Sequence, residues 1–519
     1  MQDTDEHETL SLRVCRVLNQ IGYSADMVQA RRKSYRARDN SRNSHGGDVA
    51  RITAGSKSEG FSLCFESDYD RLNIYKSVLC ICGQCGCQNQ TSEMDTIFKL
   101  HGEKCHPGHF NLRLLRVGSR CHKTVERAIT CFEGEIYVSS EKFTDALQQE
   151  LTFDINGGWK RCTRTGPALP STRGLYSRDD VFAFRCPCQR HLLRVWEDRR
   201  RRFGWPGQEL IAAVLAEEAD IAPVSCPNSE NKAMEWRVCF IQGERLLTDS
   251  FSETVYKLYI LLKMIHKHVF KPICNGLSSY VMKNITFWMA EDNPNETFTN
   301  ENIVHVLWLS LHMLHKAIKT SNLPYYMIPS RNLLAGKLTP NEHRNLLEVI
   351  EISMNDIPRL IQHLPKLSAS FKVPTQVLLE ESRARDDLET LELLRQDIIS
   401  AYWRPDLQRE EVDVLCWADA RYRNSRLKMY DIVWPEWCCQ FRPEVQVDLA
   451  SVLHPATDDQ DAFKERYMQF AESYYDIIWP HMKPSIEAEQ HDLDTDSIPR
   501  QKIITIMAIL RLKIEQALS

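Results

Sequence analysis

The sequence predicts an α+β fold: a long N-terminal helix, a mixed sheet flanked by helices, a helical lobe, and an all-helical C-terminal extension. Three observations predict it. Apolar residues recur at helical spacing near the N-terminus, short alternating apolar runs broken by Gly and Pro fill 50–245, and a helical period returns from 250 onward. With 519 residues the chain is too long for one ordinary domain, and its boundaries fall at 1–49, 50–248, 249–370 and 371–519.

Each element has its own warrant. Leu10, Leu12, Val14, Leu18, Ile21 and Met27 mark one amphipathic helix over 8–38, and the Ser, Asn and Gly-rich stretch 39–49 reads as a linker. Ile136–Val138, Val181–Phe184 and Trp236–Phe240 read as strands. Leu258–Ile265, Ile303–Leu314 and Leu346–Leu360 carry the helical lobe. The extension contains a near-repeat: Arg421-Tyr422 with Tyr430-Asp431-Ile432-Val433-Trp434-Pro435, then Arg466-Tyr467 with Tyr475-Asp476-Ile477-Ile478-Trp479-Pro480, which implies paired hairpins.

A net charge of -5 excludes a globally basic nucleic-acid binder, so any such contact needs a local patch. No run of about 18 apolar residues lacks a charge, and the acidic Met1–Glu8 is unlike a signal peptide, so no membrane insertion is expected. Eighteen irregularly spaced cysteines suit free thiols in a reducing compartment. The expected location is cytoplasmic, with the nucleus open.

The stretch that carries chemistry is Gly55-Ser56-Lys57-Ser58-Glu59-Gly60 followed by Asp68-Tyr69-Asp70. On a strand, residues i and i+2 share a face, so Asp68 and Asp70 present two carboxylates side by side. A pair of hard cations, Mg2+ or Mn2+, would relieve their repulsion, neutralise triphosphate charge and activate an attacking hydroxyl. Gly55-Ser56, on a turn, offers backbone N–H groups to phosphates. Eleven residues separate Ser56 from Asp68, room for a short helix and a return into a strand. Phosphoryl and nucleotidyl transfer ask mainly for such positioning and neutralisation.

Gly-Ser-x-x-Glu-Gly followed by Ser-Asp-x-Asp resembles the signature of cyclic GMP-AMP synthase and its animal relatives with a Mab-twenty-one domain, of the invertebrate type without a zinc thumb. The resemblance covers about 10–360. It extends through Gly166-Pro167 to Asp179-Asp180-Val181, Gly204-Trp205-Pro206, Glu235-Trp236-Arg237, Leu277-Ser278-Ser279-Tyr280 with Lys283, and Leu323–Pro329 with Asn332-Leu333-Leu334. It implies a bilobal, polymerase-beta-like nucleotidyltransferase that makes a cyclic dinucleotide from ATP and GTP after sensing a ligand in innate immune signalling. It places the catalytic and metal-binding carboxylates at Asp68, Asp70 and Asp179, with Asp180 the rival because strand alternation lets only one face the metals. Nucleotide recognition falls on Gly55, Ser56, Glu59, Arg237, Glu244, Lys263, Ser279 and Tyr280: Tyr for stacking, Arg for planar donors, Lys for point charge.

The sequence departs from the vertebrate DNA sensor, whose zinc-binding thumb has no counterpart because 245–262 contain neither His nor Cys. Cys80, Cys82, Cys85 and Cys87 with Cys105, His106 and His109 have enough ligands for a structural zinc but irregular spacing, and free thiols in a turn are the competing reading. Arg31, Arg32, Lys33, Arg36 and Arg38, with Arg199, Arg200, Arg201 and Arg202, form basic patches able to hold a duplex backbone, double-stranded RNA above all; a solvated helix face is the alternative. The extension shows no chemistry, and partner docking is its one suggested role. A catalytically silent member that binds nucleotide or a partner is the alternative to an enzyme.

Overall fold

The computed structural model describes residues 2–432 apart from 65, 84–91, 152–159, 165, 174–175, 405, 408, 426–427 and 430–431. The second copy of the near-repeat, and part of the first, lie outside the described residues.

Two helices, α1 (Gln2–Leu18) and α2 (Ala25–Ser44), replace the single N-terminal helix expected from the pattern. Gly22, at φ 102°, breaks the path, and the Ser24 hydroxyl accepts from Met27 N to start α2 afresh. Nor is 39–49 a linker: α2 runs on to Ser44 because its polar face is bonded to the first strand, β1 (Val49–Thr53). Asp39 accepts from Thr53 N and Oγ1, both at 2.8 Å. Asn43 exchanges two 2.9 Å bonds with the Arg51 backbone.

After the single turn α3 (Gly55–Ser58) come β2 (Tyr69–Ile81), β3 (Thr96–His101), β4 (His109–Arg116), α4 (Lys123–Ala128), β5 (Ile129–Phe132), β6 (Glu135–Val138) and α5 (Ser140–Leu151). Next are β7 (Lys160–Arg161), β8 (Leu169–Arg173), β9 (Tyr176–Cys186), α6 (Gln189–Leu192), α7 (Arg194–Glu197), α8 (Gln208–Ala216), β10 (Ala219–Ala222) and β11 (Glu235–Cys239). The strands form a mixed sheet in the order β1-β2-β3-β4-β11-β10-β9-β8-β7. Because β2 also pairs with β9 in parallel, the path from β2 round to β9 returns to its start.

Helices follow: α9 (Ile241–Asp249), α10 (Glu253–Ile265), α11 (Ser279–Asp292), α12 (Ile303–Lys319), α13 (Pro340–Asn355), α14 (Ile357–Gln362), α15 (Pro365–Lys372), α16 (Thr375–Tyr402) and α17 (Arg409–Ala418). The apolar run 346–360 is thus two helices, divided where Asp356 Oδ1 accepts from Arg359 N at 2.9 Å and caps the second. One buried apolar cluster extends from Val14 to Leu378, so sheet and helices share a core. Phe184 stacks on Trp236 with centroids 4.7 Å apart at the centre of the sheet. Among the described residues no helix is long and apolar enough to cross a membrane.

Candidate active site

The pairing of β2 with β9 brings the carboxylates together. Asp70 lies directly opposite Asp179, and Arg71 opposite Asp180. Register partners share a face, so Asp70 and Asp179 point one way and Asp180 the other. Asp180 is buried and spoken for: Arg71 Nε donates at 2.6 Å, Arg178 Nε lies at 2.9 Å, and Asn73 Nδ2 donates at 3.2 Å. Burial alone would raise its carboxyl, but Arg71 and Arg178 hold it below the ordinary carboxylate range. Asp180 is therefore a structural ion-pair partner, which leaves Asp179 as the carboxylate beside Asp70.

The other face is crowded with like charge. Burial, then Asp179 and Asp68, push the Asp70 carboxyl up to about 7, and burial with Asp68 and Asp180 raises Asp179. Asp68, just ahead of β2, is exposed, and its Oδ1 accepts from Ser177 Oγ. The donor set is what a hard divalent cation takes, and it is short of positive charge. The three carboxylates are neighbours but do not converge: among the described residues no three His, Cys, Asp or Glu side chains are gathered as metal ligands.

Above them sits the turn. Gly55 is at φ 65°, and a Cβ there would meet Asp70 Oδ2 at 2.3 Å, so only glycine fits between the turn and the carboxylate. Ala54 N donates to Asp70 O at 2.9 Å, holding turn to strand. Lys263 donates to Ser56 Oγ at 2.9 Å and Phe61 O at 3.3 Å, fixing the turn from α10.

Glu59 and Glu244 belong to a buried hub. Lys283 Nζ donates to Glu59 Oε1 at 2.5 Å and Glu244 Oε2 at 2.9 Å. Tyr280 and Tyr325 hydroxyls donate to Glu244 Oε1 at 2.5 and 2.7 Å. Burial opposes the charge on Glu244, but Lys283 holds its carboxyl below the ordinary range. Glu244 thus fixes the Tyr280 ring, and Ser279 opens α11 beside it. Beyond Tyr325 lies a group of cations. Arg237 pairs in register with His109, and Arg331 stacks its guanidinium 5.0 Å from the Tyr325 centroid. Burial, with Arg331 and Arg237, pushes His109 down to about 3; burial, with Arg237 and Arg331, pushes Lys337 down to about 8. Among the described residues no carboxylate pairs with Arg237, Arg331 or Lys337, and the three cations oppose one another's charge.

Residues 255–351 match the Mab-21 protein HhH/H2TH-like domain. The Mab-21-like segment begins within α10 and ends within α13, and it supplies Lys263, Ser279, Tyr280, Lys283, Tyr325, Arg331 and Lys337 to the site. No curated protein matches the chain. Arg331 and Lys337 were not found from sequence; the one available signal was that Arg331 falls between Pro329 and Asn332 of a Mab-21-like block. Lys283 and Tyr325 stood inside such blocks without a role.

The arginines proposed as a nucleic-acid surface are largely internal, and this corrects the reading of a basic face. Arg31 is 0% exposed and salt-bridged to Glu389 at 2.6 Å. Arg32 is buried, donating to Glu59 O at 2.9 Å and Thr248 O at 3.0 Å, while Arg36 pairs with Asp249 and Arg38 with Asp397. Arg199 and Arg201 both reach Glu291, and Arg199 lies 4.5 Å over Trp288. They read as basic patches because acidic partners 90 or more residues distant in sequence do not show in the local pattern. Lys33, Arg200 and Arg202 alone of the nine are exposed.

Of the proposed zinc ligands, Cys85 and Cys87 lie outside the described residues. Cys80 and Cys82 are buried at the end of β2, where Cys82 N donates to Cys188 Sγ at 3.1 Å, and Cys105 Sγ donates to His101 O at 3.7 Å.

Proposed function

We propose that the chain is a metal-dependent nucleotidyltransferase that joins ATP and GTP into a cyclic dinucleotide. The observation that supports this most is the parallel register setting Asp70 beside Asp179 under a turn whose Gly55 admits no side chain. Asp68, Asp70 and Asp179 would hold Mg2+ or Mn2+, which when bound would supply neutralisation of triphosphate charge and activation of the attacking hydroxyl.

The chain's own groups supply position. Lys263 and the Asp70 backbone hold the Gly55–Ser56 turn so that its N–H groups meet phosphate oxygens. Glu244 fixes the Tyr280 ring as a face for base stacking, and Arg237, Arg331 and Lys337 draw the anionic ligand in. Ligand sensing and innate immune signalling come with the resemblance. Double-stranded RNA remains the first activator to test, on a surface other than the buried arginines of α2.

A second reading, a catalytically silent nucleotide-binding protein, is favoured by two observations: Asp68 is engaged by Ser177, and among the described residues the carboxylates are not gathered. Incubating the protein with labelled ATP and GTP, Mg2+ or Mn2+, and double-stranded RNA or DNA in turn separates the two. A phosphatase-resistant product lost in Asp68→Asn supports the enzyme; nucleotide binding without product supports the silent protein.

A further inference from the structure

The C-terminal extension reaches the candidate site through α16, which lies along α2. At the centre of that contact Arg31 Nε donates to Glu389 Oε1 at 2.8 Å and Arg31 Nη2 to Glu389 Oε2 at 2.6 Å. The pair is almost wholly excluded from water, with side chains 0% and 4% exposed. A buried ion pair is weak evidence for stability, since well-packed apolar residues do as well. Its polar atoms therefore need another explanation.

Besides the bond from Arg31 Nη2 to Gly22 O at 2.6 Å, which ties the pair to the kink ahead of α2, both members bond to the segment between the phosphate turn and Asp68. Arg31 Nη1 donates to Gly60 O at 3.1 Å, and Glu389 Oε1 accepts from Cys64 N at 2.8 Å. Gly60 sits at φ 77° with Val28 O only 2.5 Å from where a Cβ would stand, so α2 and this segment are in closest contact. Lys57 closes the segment from inside, donating to Leu63 O at 3.2 Å and Cys64 O at 2.8 Å. Further along, Glu66 accepts from Tyr23 and from Lys366 of α15. Elsewhere on α16, Asp397 accepts from Arg38 at 2.8 Å, and the Ser41 hydroxyl donates to Ser400 O at 2.8 Å.

We infer that Glu389 is a positioning residue: paired with Arg31, it clamps the 60–64 segment and so sets the turn at Gly55–Ser56 and the carboxylate at Asp68 in their relative places. On this account α16 is the intramolecular anionic partner of Arg31 and Arg38 of α2, and the extension is part of the catalytic unit. The inference rests on the proposed function for its consequence in catalysis, but the clamp itself is measurable without activity.

The test uses the full chain with Arg31→Met/Glu389→Leu, which removes the clamp without stranding a buried charge, and Glu389→Gln as a second variant should the first fail to fold. Hydrogen exchange resolved by peptide is read across 60–68 and, as control, across α10. The expected result is exchange at least tenfold faster in 60–68, with α10 unchanged and the melting temperature close to that of the parent. In the product assay kcat should fall more than tenfold with a smaller change in KM. Unchanged exchange across 60–68 in the folded variant would overturn the inference, as would a loss of protection spread equally over α10. Absence of product from the parent protein would count against the function alone, because the exchange readout does not depend on it.

Discussion

Replacing Asp70 by Asn should make the metal-free protein more stable, and by an amount that depends on pH. Among the described residues no donor reaches the Asp70 carboxylate, while Asp179 and Asp68 repel it and burial adds to their effect. A carboxyl held above its ordinary range costs the fold little below pH 3.8, more as the unfolded chain ionises, and the full amount above about pH 7. Moving the group from 3.8 to about 7 corresponds to about 4 kcal/mol at high pH. Partial exposure of Asp70 to water reduces this to about 2 kcal/mol. Asn removes the charge and keeps the shape, so at pH 8 in EDTA the variant should melt roughly 2–4 °C higher, taking about 1–2 °C per kcal/mol for a chain of this size. At pH 5 the gap should be less than half as large. Differential scanning calorimetry at both pH values, with and without Mn2+, reads both effects, and Mn2+ should raise the parent's melting temperature and leave the variant's unchanged. A variant that melts lower than its parent at pH 8, or a gap that ignores pH, would refute the electrostatic reasoning.

Other expectations follow from neighbouring contacts. Asp180→Ala strands Arg71 and Arg178 in the sheet and should destabilise the protein by about 3 kcal/mol in thermal denaturation, whereas Asp179→Asn should leave the fold intact and abolish product. Gly55→Ala places a Cβ against Asp70 Oδ2 at a backbone angle alanine resists, so product formation should fall at least about a hundredfold, more than any loss of stability explains. Lys337 sits at about 8 because burial and the two arginines oppose its charge, so affinity for ATP measured by calorimetry in EDTA should weaken as pH rises through 8. Lys337→Ala should bind weakly and without that pH dependence, and Arg331→Ala should weaken binding while keeping it.

What was legible in the sequence divides by range. The pair of carboxylates two apart, the glycine turn before them and the α+β order are local patterns, and a single chain displays them. Between Asp179 and Asp180 strand alternation could say only that one faced each way; the deciding fact was that Arg71, Arg178 and Asn73 close round Asp180, a contact made across β2 and β9. The break at Gly22 escaped notice because apolar spacing continues through it. The arginines of α2 misled for the same reason that Arg331 and Lys337 were missed. Charge in sequence says nothing of whether a carboxylate such as Glu389, more than 300 residues away, comes to meet it.

The central claim is that Asp70 and Asp179 jointly hold catalytic cations. Titrating Mn2+ into the parent protein, Asp179→Asn and Asp70→Asn in the presence of a non-hydrolysable ATP analogue, and reading free Mn2+ by electron paramagnetic resonance, tests it directly. The parent should deplete the free-ion signal with each variant at least tenfold weaker; Mn2+ binding as tight in Asp179→Asn as in the parent would contradict the account.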